Sequence, residues 1–382
     1  MKVTVSVGGR FHAFNLAGQL AKQGALDKLI TSYPASQAQK FGIPGDRVKS
    51  VILKELLERG WGILPDFIKD LYNPQYLIHE IYDRQAAKLY SPGDICVAFA
   101  GFALHTMRKA KQSGAVTILE RGSAHILYQR QILEEESKLL GVKLRLPHPK
   151  VVEKELKEYA EADYICVPSL FAKRTFLEKG IAEDKLIHIP YGVDLASFRK
   201  LPKEDKVFRV IYCGQLSLRK GVHYLLQAFS ELNFRDAELW LLGTLNREMK
   251  VFLKKFDNGR VIYKGKIPQA ELYKYYSQGS VFVIMSIEEG LAMVQPQAMA
   301  CGLAVICTTN TGGQDLIREG SEGFIINIRD VNGLKDKLVY LHDNPDIAKA
   351  MGEAAKNRVS KGFSWDDYGQ RIVDAYKKCL RN

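Results

Sequence analysis

The sequence predicts an α/β chain folded as two doubly wound parallel sheets. Short apolar runs alternate with helical periodicity from end to end, the pattern of repeated βαβ units. At 199–206 the chain reads Arg-Lys-Leu-Pro-Lys-Glu-Asp-Lys, charged, aperiodic and interrupted by proline, and the alternation restarts beyond it. The 382 residues suffice for two domains of ordinary size. The boundary divides an N-terminal unit over 1–203 from a C-terminal unit over 204–364, with a final helical segment over 365–382.

In order, residues 3–7 (Val-Thr-Val-Ser-Val) predict a first strand and 14–22 a helix behind it. Strands follow at 95–99, 116–119 and 164–167, and a short run at 187–190 ends on a proline, which cannot continue a ladder. In the second unit strands are expected at 208–213, 238–242, 261–263, 281–285 and 304–307, with helical patterns between them. Trp365 to Leu380 reads as an amphipathic helix. Open parallel sheets take ligands at the carboxyl ends of their strands. Two such units facing each other therefore place a cleft between those edges. A hinge at the linker would admit two substrates and then exclude water.

Apolar residues make up 46% of the chain, which supplies a core and argues against wholesale disorder. The six cysteines, at 96, 166, 213, 301, 307 and 379, form no Cys-x-x-Cys pair and sit mostly in apolar, strand-like contexts. That predicts buried free thiols in a reducing compartment. The N-terminus reads as a strand and turn rather than a secretory leader, and the longest apolar run, near 95–104, is too short to cross a bilayer. A cytoplasmic protein is expected. Lys and Arg number 55 against 43 Asp and Glu, a net charge of +12. The excess is spread along the chain, so no nucleic-acid partner is expected. It is densest over 101–150, which reads either as a solvated surface or as peripheral attraction to an anionic membrane or polyanionic acceptor.

Four turns after predicted strands carry the chemistry. Residues 288–302, Glu-Glu-Gly-Leu-Ala-Met-Val-Gln-Pro-Gln-Ala-Met-Ala-Cys-Gly, leave the strand at 281–285 and open a helix. A helix start offers free N–H groups and a positive dipole end, which suits phosphate. The carboxylate beside it needs another task, and holding sugar hydroxyls is the obvious one. Gly214-Gln-Leu-Ser-Leu-Arg219-Lys220-Gly221 sets two cations at another helix start, a diphosphate site in principle and otherwise a solvated pair. Gly8 and Gly9 follow the first strand and allow close backbone approach, to a ligand or simply within a tight turn. Glu120-Arg121-Gly122-Ser123-Ala124-His125 follows the strand at 116–119, and a lone histidine there is as readily structural as catalytic. The sequence shows no Asp-x-Asp, no His-x-x-x-His and no clustered His/Cys set. No bound metal is therefore expected, and Lys220 and Arg219 are left to stabilise a leaving diphosphate.

The stretch Glu289 to Gly302 resembles Glu-Gly-x-small-x-x-x-x-Glu-Ala-Met-Ala-Cys-Gly, the signature of the family-4 retaining glycosyltransferases (glycosyltransferase group 1) of GT-B fold. Gln297 stands where that family has its second glutamate. The turn at 214–221 resembles Gly-Arg-Leu-x-x-x-Lys-Gly, with Lys220 matching the lysine and Gln215 at the arginine position. Landmarks at 161–169, 189–194, 311–317 and 320–323 agree, so the resemblance is strong over 155–380 and weak over 1–154. It implies two Rossmann-like domains facing across a cleft, with the terminal helix crossing back onto the first. It also implies metal-independent, retaining transfer of a hexose from a nucleoside-diphosphate sugar, UDP-glucose in type, with no further cofactor. In that reaction the acceptor attacks from the front face and the departing phosphate takes its proton.

Residue by residue, the resemblance implies Glu289 on the donor sugar and Gln297 at the ribose position. Lys220 lies on the diphosphate. Arg219 matches no motif position, but it stands four residues past Gln215, where it could supply the cation missing there. Gly8 and Gly9 face the diphosphate or the acceptor, and His125, or Arg121 in its stead, lies near the donor sugar. The backbone of Lys266 and Ile267 borders the nucleobase. The backbone N–H groups of Leu291, Met293 and Val294 approach phosphate and sugar. The acceptor would be a hydroxyl of a polysaccharide, glycolipid or lipid-linked saccharide. Gln215 and Gln297 keep one rival in play, a donor-binding pseudoenzyme that regulates another transferase. A sugar-nucleotide epimerase or phosphorylase on the same fold is a second. Residues 51–68 are apolar with interspersed charge and read equally as a surface helix touching lipid and as a buried core helix.

Overall fold

Thirteen strands fall into two sheets in the computed structural model, which describes residues 1–232 and 234–381, without the side chains of 66, 67 and 70. The first sheet comprises β1 (Val3–Val7), β2 (Leu26–Thr31), β3 (Val48–Ser50), β4 (Ile95–Phe99), β5 (Val116–Glu120), β6 (Tyr164–Val167) and β7 (Leu186–His188). The second comprises β8 (Phe208–Cys213), β9 (Ala237–Leu242), β10 (Val261–Gly265), β11 (Val281–Ile284), β12 (Ala304–Thr308) and β13 (Gly323–Ile326). Every ladder pair is parallel. The strand orders are β3-β2-β1-β4-β5-β6-β7 and β10-β9-β8-β11-β12-β13. In each sheet the order reverses beside the unit's first strand, between β1 and β4 and between β8 and β11. The crevice at the carboxyl end of such a reversal is where ligands sit.

Five of the strands expected from the sequence are covered on both faces. β1, β4, β8, β11 and β12 are buried along their whole length, as parallel strands between helical layers must be. Three strands escape the sequence pattern. β2 carries half-buried Asp27 and Lys28, and β3 is an edge strand with Lys49 and Ser50 exposed, so neither offers an unbroken apolar run. β13 is four residues long and opens on Gly323, where a Cβ would lie 1.9 Å from the Val305 carbonyl oxygen.

The chain leaves the first sheet after β7 and enters the second at β8. Its last helix, Trp365–Cys379, starts with a capping box between Ser364 and Asp367. It buries Tyr368, Ile372, Val373 and Tyr376 and lies on the helix Ala13–Lys22 behind β1. Gln19 and Lys22 both reach Asp366, at 3.1 and 2.8 Å. Asn382, the end of the sequence-predicted terminal segment, lies outside the described residues. All six cysteines are free and buried. Among the described residues no helix is long and apolar enough to cross a membrane. The helix Ile52–Ile63 is inverted in polarity: Lys54 and Glu55 are buried, whereas Leu56 and Ile63 are 62% and 85% exposed. Phe67, near the end of that apolar stretch, is among the side chains outside the description.

Candidate functional site

The second unit's half of the cleft is built on β8 and β11. After β8 the chain turns through Gly214 to Gly221 and enters the helix Val222–Glu231. Gly221 has φ +63°, and a Cβ there would lie 1.8 Å from the Met285 carbonyl oxygen. Only glycine fits, and this contact locks the cation-bearing turn onto the end of β11. The Lys220 ammonium is ion-paired with the Glu289 carboxylate. Arg219 donates to the Glu288 carbonyl oxygen at 2.9 Å and lies 3.4 Å from the Glu288 carboxylate and 3.7 Å from that of Glu289. Two cations and two carboxylates thus share one corner. Burial, with Arg219 beside it, pulls the Lys220 ammonium well below its ordinary range, and Glu288 opposes the shift. The helix after this loop is Val294–Ala300, so it starts two residues later than the motif suggests. Pro296 sits in its first turn, where no donor is lost.

The first unit's half is built on β1, β4 and β5. Gly8 and Gly9 follow β1, and a Cβ on Gly8 would lie 2.4 Å from the Phe102 ring. Phe11 holds φ +38°, a sparsely populated conformation for a bulky residue. Arg121, one residue past β5, spends its guanidinium on the Ala124 carbonyl oxygen, Gln129 and Glu155 while lining the cleft.

Two connected cavities open between the halves. One of 560 Å³ reaches Arg219 and Glu289 of the second unit and Lys54, Glu58 and Arg145 of the first. The second, of 380 Å³, is mostly apolar and ends on Met293. Both share the wall formed by Phe11, Phe102, Arg121 and Ser123.

The two halves are bolted together by a residue that the motif reading passed over. Glu288 is fully buried. Its carboxylate accepts from Ser123 Oγ, from the Ala124 N–H at 3.0 Å and from Gln129 Nε2 at 2.8 Å. Burial alone would raise this carboxyl. Arg219 and the three hydrogen bonds outweigh it and hold the group below the usual carboxylate range. Beside it Gly290 meets Gly122 so closely that a Cβ would lie 2.1 Å from the Gly122 carbonyl oxygen. A second tie joins Glu136 of the first unit to His223, Tyr224 and Arg329 of the second, at 3.1, 2.9 and 2.7 Å.

His125 stands apart from the cleft. It is 2% exposed, its Nδ1 accepts from the Leu127 N–H as the cap of the helix Ile126–Leu140, and its ring lies against Tyr159 and Phe176. Burial, reinforced by Arg121, lowers its pKa to about 4. The histidine that does face the cleft is His12, at the start of the helix Ala13–Lys22, with Nε2 3.1 Å from Glu120 Oε2. The available signal was positional. His12 lies in the turn after β1, and Glu120 is the last residue of β5, both at carboxyl ends beside the β1/β4 reversal.

The remaining candidates fall in the second unit. Gln215 is turned towards Asn246, with Nε2 2.8 Å from its side-chain oxygen. Gln297 is buried in the helix Val294–Ala300, and Lys266 and Ile267 lie just beyond β10. Leu291 is buried in the loop before that helix, while Met293 reaches the apolar cavity. The sequence shows no metal-ligand cluster, yet the fold gathers Glu80, Asp83 and His105. A cation already occupies that corner: Lys154 Nζ lies 2.6 Å from Glu80 and 2.7 Å from Asp83.

A family model, glycosyl transferases group 1, matches residues 194–358, the unit that carries the paired cations and carboxylates. A Methanocaldococcus jannaschii protein described as an uncharacterized glycosyltransferase is 24% identical over 73% of this chain and 70% of its own length. A Corynebacterium glutamicum protein, a GDP-mannose-dependent monoacylated alpha-(1-6)-phosphatidylinositol monomannoside mannosyltransferase, is 26% identical over 56% of this chain and 62% of its own length. Among solved structures, sucrose-phosphate synthase from Thermosynechococcus elongatus superposes with a TM-score of 0.76 at 18% identity, covering 100% of this chain and 99% of the other. HepE of Anabaena in complex with UDP gives 0.72 at 14% identity, covering 99% and 100%. With two Rossmann-like units, a cation-bearing turn and the Glu289 to Gly302 motif facing one cleft, the chain has the GT-B fold, and its residues 194–358 match glycosyl transferases group 1.

Proposed function

We propose that this enzyme transfers a hexose from a nucleoside-diphosphate sugar, UDP-glucose in type, to a hydroxyl of a saccharide or lipid-linked acceptor, with retention and without a metal. The observation that carries the reading is the pairing of Lys220 with Glu289, and of Arg219 with Glu288, at the edge of the 560 Å³ cavity. A diphosphate arriving there draws the cations towards itself and frees Glu289 for sugar hydroxyls. Negative charge grows on the diphosphate as its bond to the anomeric carbon breaks, and fixed cations in a water-poor corner stabilise that charge. Two protein cations at this point supply the charge that a divalent ion would otherwise bring, which supports metal independence. Retention and the UDP-hexose donor rest on the motif resemblance.

A lipid-linked acceptor is supported by the helix Ile52–Ile63. It turns Leu53, Leu56 and Ile63 outward, while Lys54 and Glu58 on the same helix line the cavity. An apolar stripe laid against a bilayer would bring a lipid-borne hydroxyl to the cleft. Calorimetry with UDP-glucose and GDP-mannose in EDTA, followed by NMR of the product anomer, tests the reading. Binding of neither donor, strict dependence on added metal, or an inverted product refutes the corresponding part. Flotation with anionic vesicles, for the wild type against Leu56→Ser/Ile63→Ser, tests the membrane contact.

A further inference from the structure

Two histidines stand at helix starts in the first unit, and they are used differently. His125 gives its ring nitrogen to its own helix as a cap. His12 makes no side-chain cap bond. Its Nε2 is instead held by Glu120 at 3.1 Å, and its ring is fixed between Phe99 and Tyr191, with centroids 4.9 and 4.3 Å away. A carboxylate partner makes Nε2 the protonated nitrogen, as in other carboxylate–histidine pairs. That leaves Nδ1 with a free lone pair and, among the described residues, no hydrogen-bond partner. His12 and Glu120 both line the 380 Å³ cavity, whose other walls include Phe11, Phe99, Phe102 and Met293.

Glu120 itself is 2% exposed. The other titratable groups around it are Cys166, Tyr191, Tyr368 and Tyr376, and burial pushes all four well above their ordinary ranges. Arg121, the adjacent cation, is turned to Glu155, Gln129 and the Ala124 carbonyl oxygen. Among the described residues no lysine or arginine pairs with this carboxylate, whose Oε2 partner is His12. Glu120 orients that ring and stands beside any charge formed on it during reaction.

We propose that His12, oriented by Glu120, is the base that receives the acceptor's proton, and that the 380 Å³ chamber is the acceptor subsite. In this step the acceptor O–H proton moves to Nδ1 while the oxygen's electron pair bonds to the anomeric carbon. The bond from that carbon to the phosphate oxygen breaks, its electrons stay on the diphosphate, and the imidazolium remains paired with Glu120. The aromatic walls select an alcohol that presents C–H surface beside its hydroxyl, such as one face of a pyranose ring. This assignment rests on the glycosyl-transfer reading above. It replaces the departing phosphate as the first proton acceptor.

The test uses UDP-glucose and GDP-mannose as donors, with methanol and sodium azide as small acceptors that fit the chamber. Azide is already an anion and needs no base. In His12→Gln, transfer to methanol should fall by about 100-fold or more, with donor affinity unchanged by calorimetry and transfer to azide kept within about threefold of wild type. Glu120→Gln should lower methanol transfer by at least tenfold, also sparing azide, and it carries the comparison alone if His12→Gln fails to fold. Equal methanol transfer in wild type and variants overturns the proposal. So does a parallel loss with azide, or a loss of donor affinity, either of which assigns the pair to donor binding or folding. A wild type that binds donor but transfers to neither acceptor also refutes it. A wild type that binds neither donor refutes the glycosyl-transfer reading instead.

Discussion

Replacing Glu288 by glutamine is the most direct probe of how the two halves of the site are held together. The carboxylate accepts from Ser123, Ala124 N–H and Gln129, all from the first unit, and from Arg219 of the second. A glutamine keeps one acceptor oxygen, so the Ser123 and Ala124 contacts survive as weaker neutral bonds. Its amide nitrogen then faces the Gln129 amide and the Arg219 guanidinium, both donors. Bonds to a charged group contribute roughly 1.5–3 kcal/mol each. Arg219 is 34% exposed, so its share is discounted for solvent screening. The expected loss is about 2–4 kcal/mol at pH 7, below the roughly 3–5 kcal/mol of an abolished buried pair, and urea unfolding measures it. The pH dependence identifies the cause. The folded-state pKa of Glu288 lies below its ordinary value, so its contribution is fully present above the unfolded value of about 4.3. It disappears as pH falls through the lower folded value. The stability gap between wild type and Glu288→Gln should hold from pH 8 to about pH 5 and then close. A gap that persists unchanged to pH 3, or one under about 0.5 kcal/mol at pH 7, refutes the ionised latch.

Lys220→Ala should lower glycosyl transfer by about 10²–10³, with a rise in the nucleotide Kd read by calorimetry, because the cation nearest Glu289 is lost. His125→Asn keeps a capping side chain at the start of its helix and should leave turnover within about threefold of wild type, while loss of the packed ring lowers stability by about 1–2 kcal/mol in thermal melts. Gly290→Ala puts a Cβ 2.1 Å from the Gly122 carbonyl oxygen. Small-angle scattering should then show a wider inter-domain separation, and transfer should fall while donor binding to the second unit persists.

The fold was most legible in strands rich in β-branched and apolar residues. β1, β4, β6 and β8 were readable to the residue, although Thr4 and Ser6 in β1 and Arg209 in β8 are buried polar residues. β2 was not, because Asp27 and Lys28 sit at half-buried positions and break the run. In the site, Lys220, Arg219 and Glu289 were named from local motifs, and the fold brings all three to one corner. What local pattern could not supply was pairing across the cleft. Glu288 stands next to Glu289 in sequence, and only the approach of Ser123 and Gln129 distinguishes their tasks. His125, with Arg121 as its alternative, was named from its place in the family pattern, and nothing in that pattern pointed to His12. The deciding fact is geometric: His125 points into a core of Tyr159 and Phe176, and His12 into a cavity.

Adjacent glutamates with opposite loyalties couple closure to donor charge. Glu288 ties the Arg219 turn to the first unit, and Glu289 holds Lys220 from the same turn. Without a donor, each cation is already balanced by a carboxylate, so closing the cleft buries no unpaired charge. A diphosphate entering this corner adds negative charge next to two carboxylates, which is tolerable only if the cations turn towards it and Glu289 finds other donors. Sugar hydroxyls are such donors, and they arrive on the same molecule. A bare nucleoside diphosphate brings the phosphates without those hydroxyls and leaves Glu289 unpaired beside them. If the proposed donor binds here, closure favours it over its spent product, which would give the enzyme a physical reason to open after transfer.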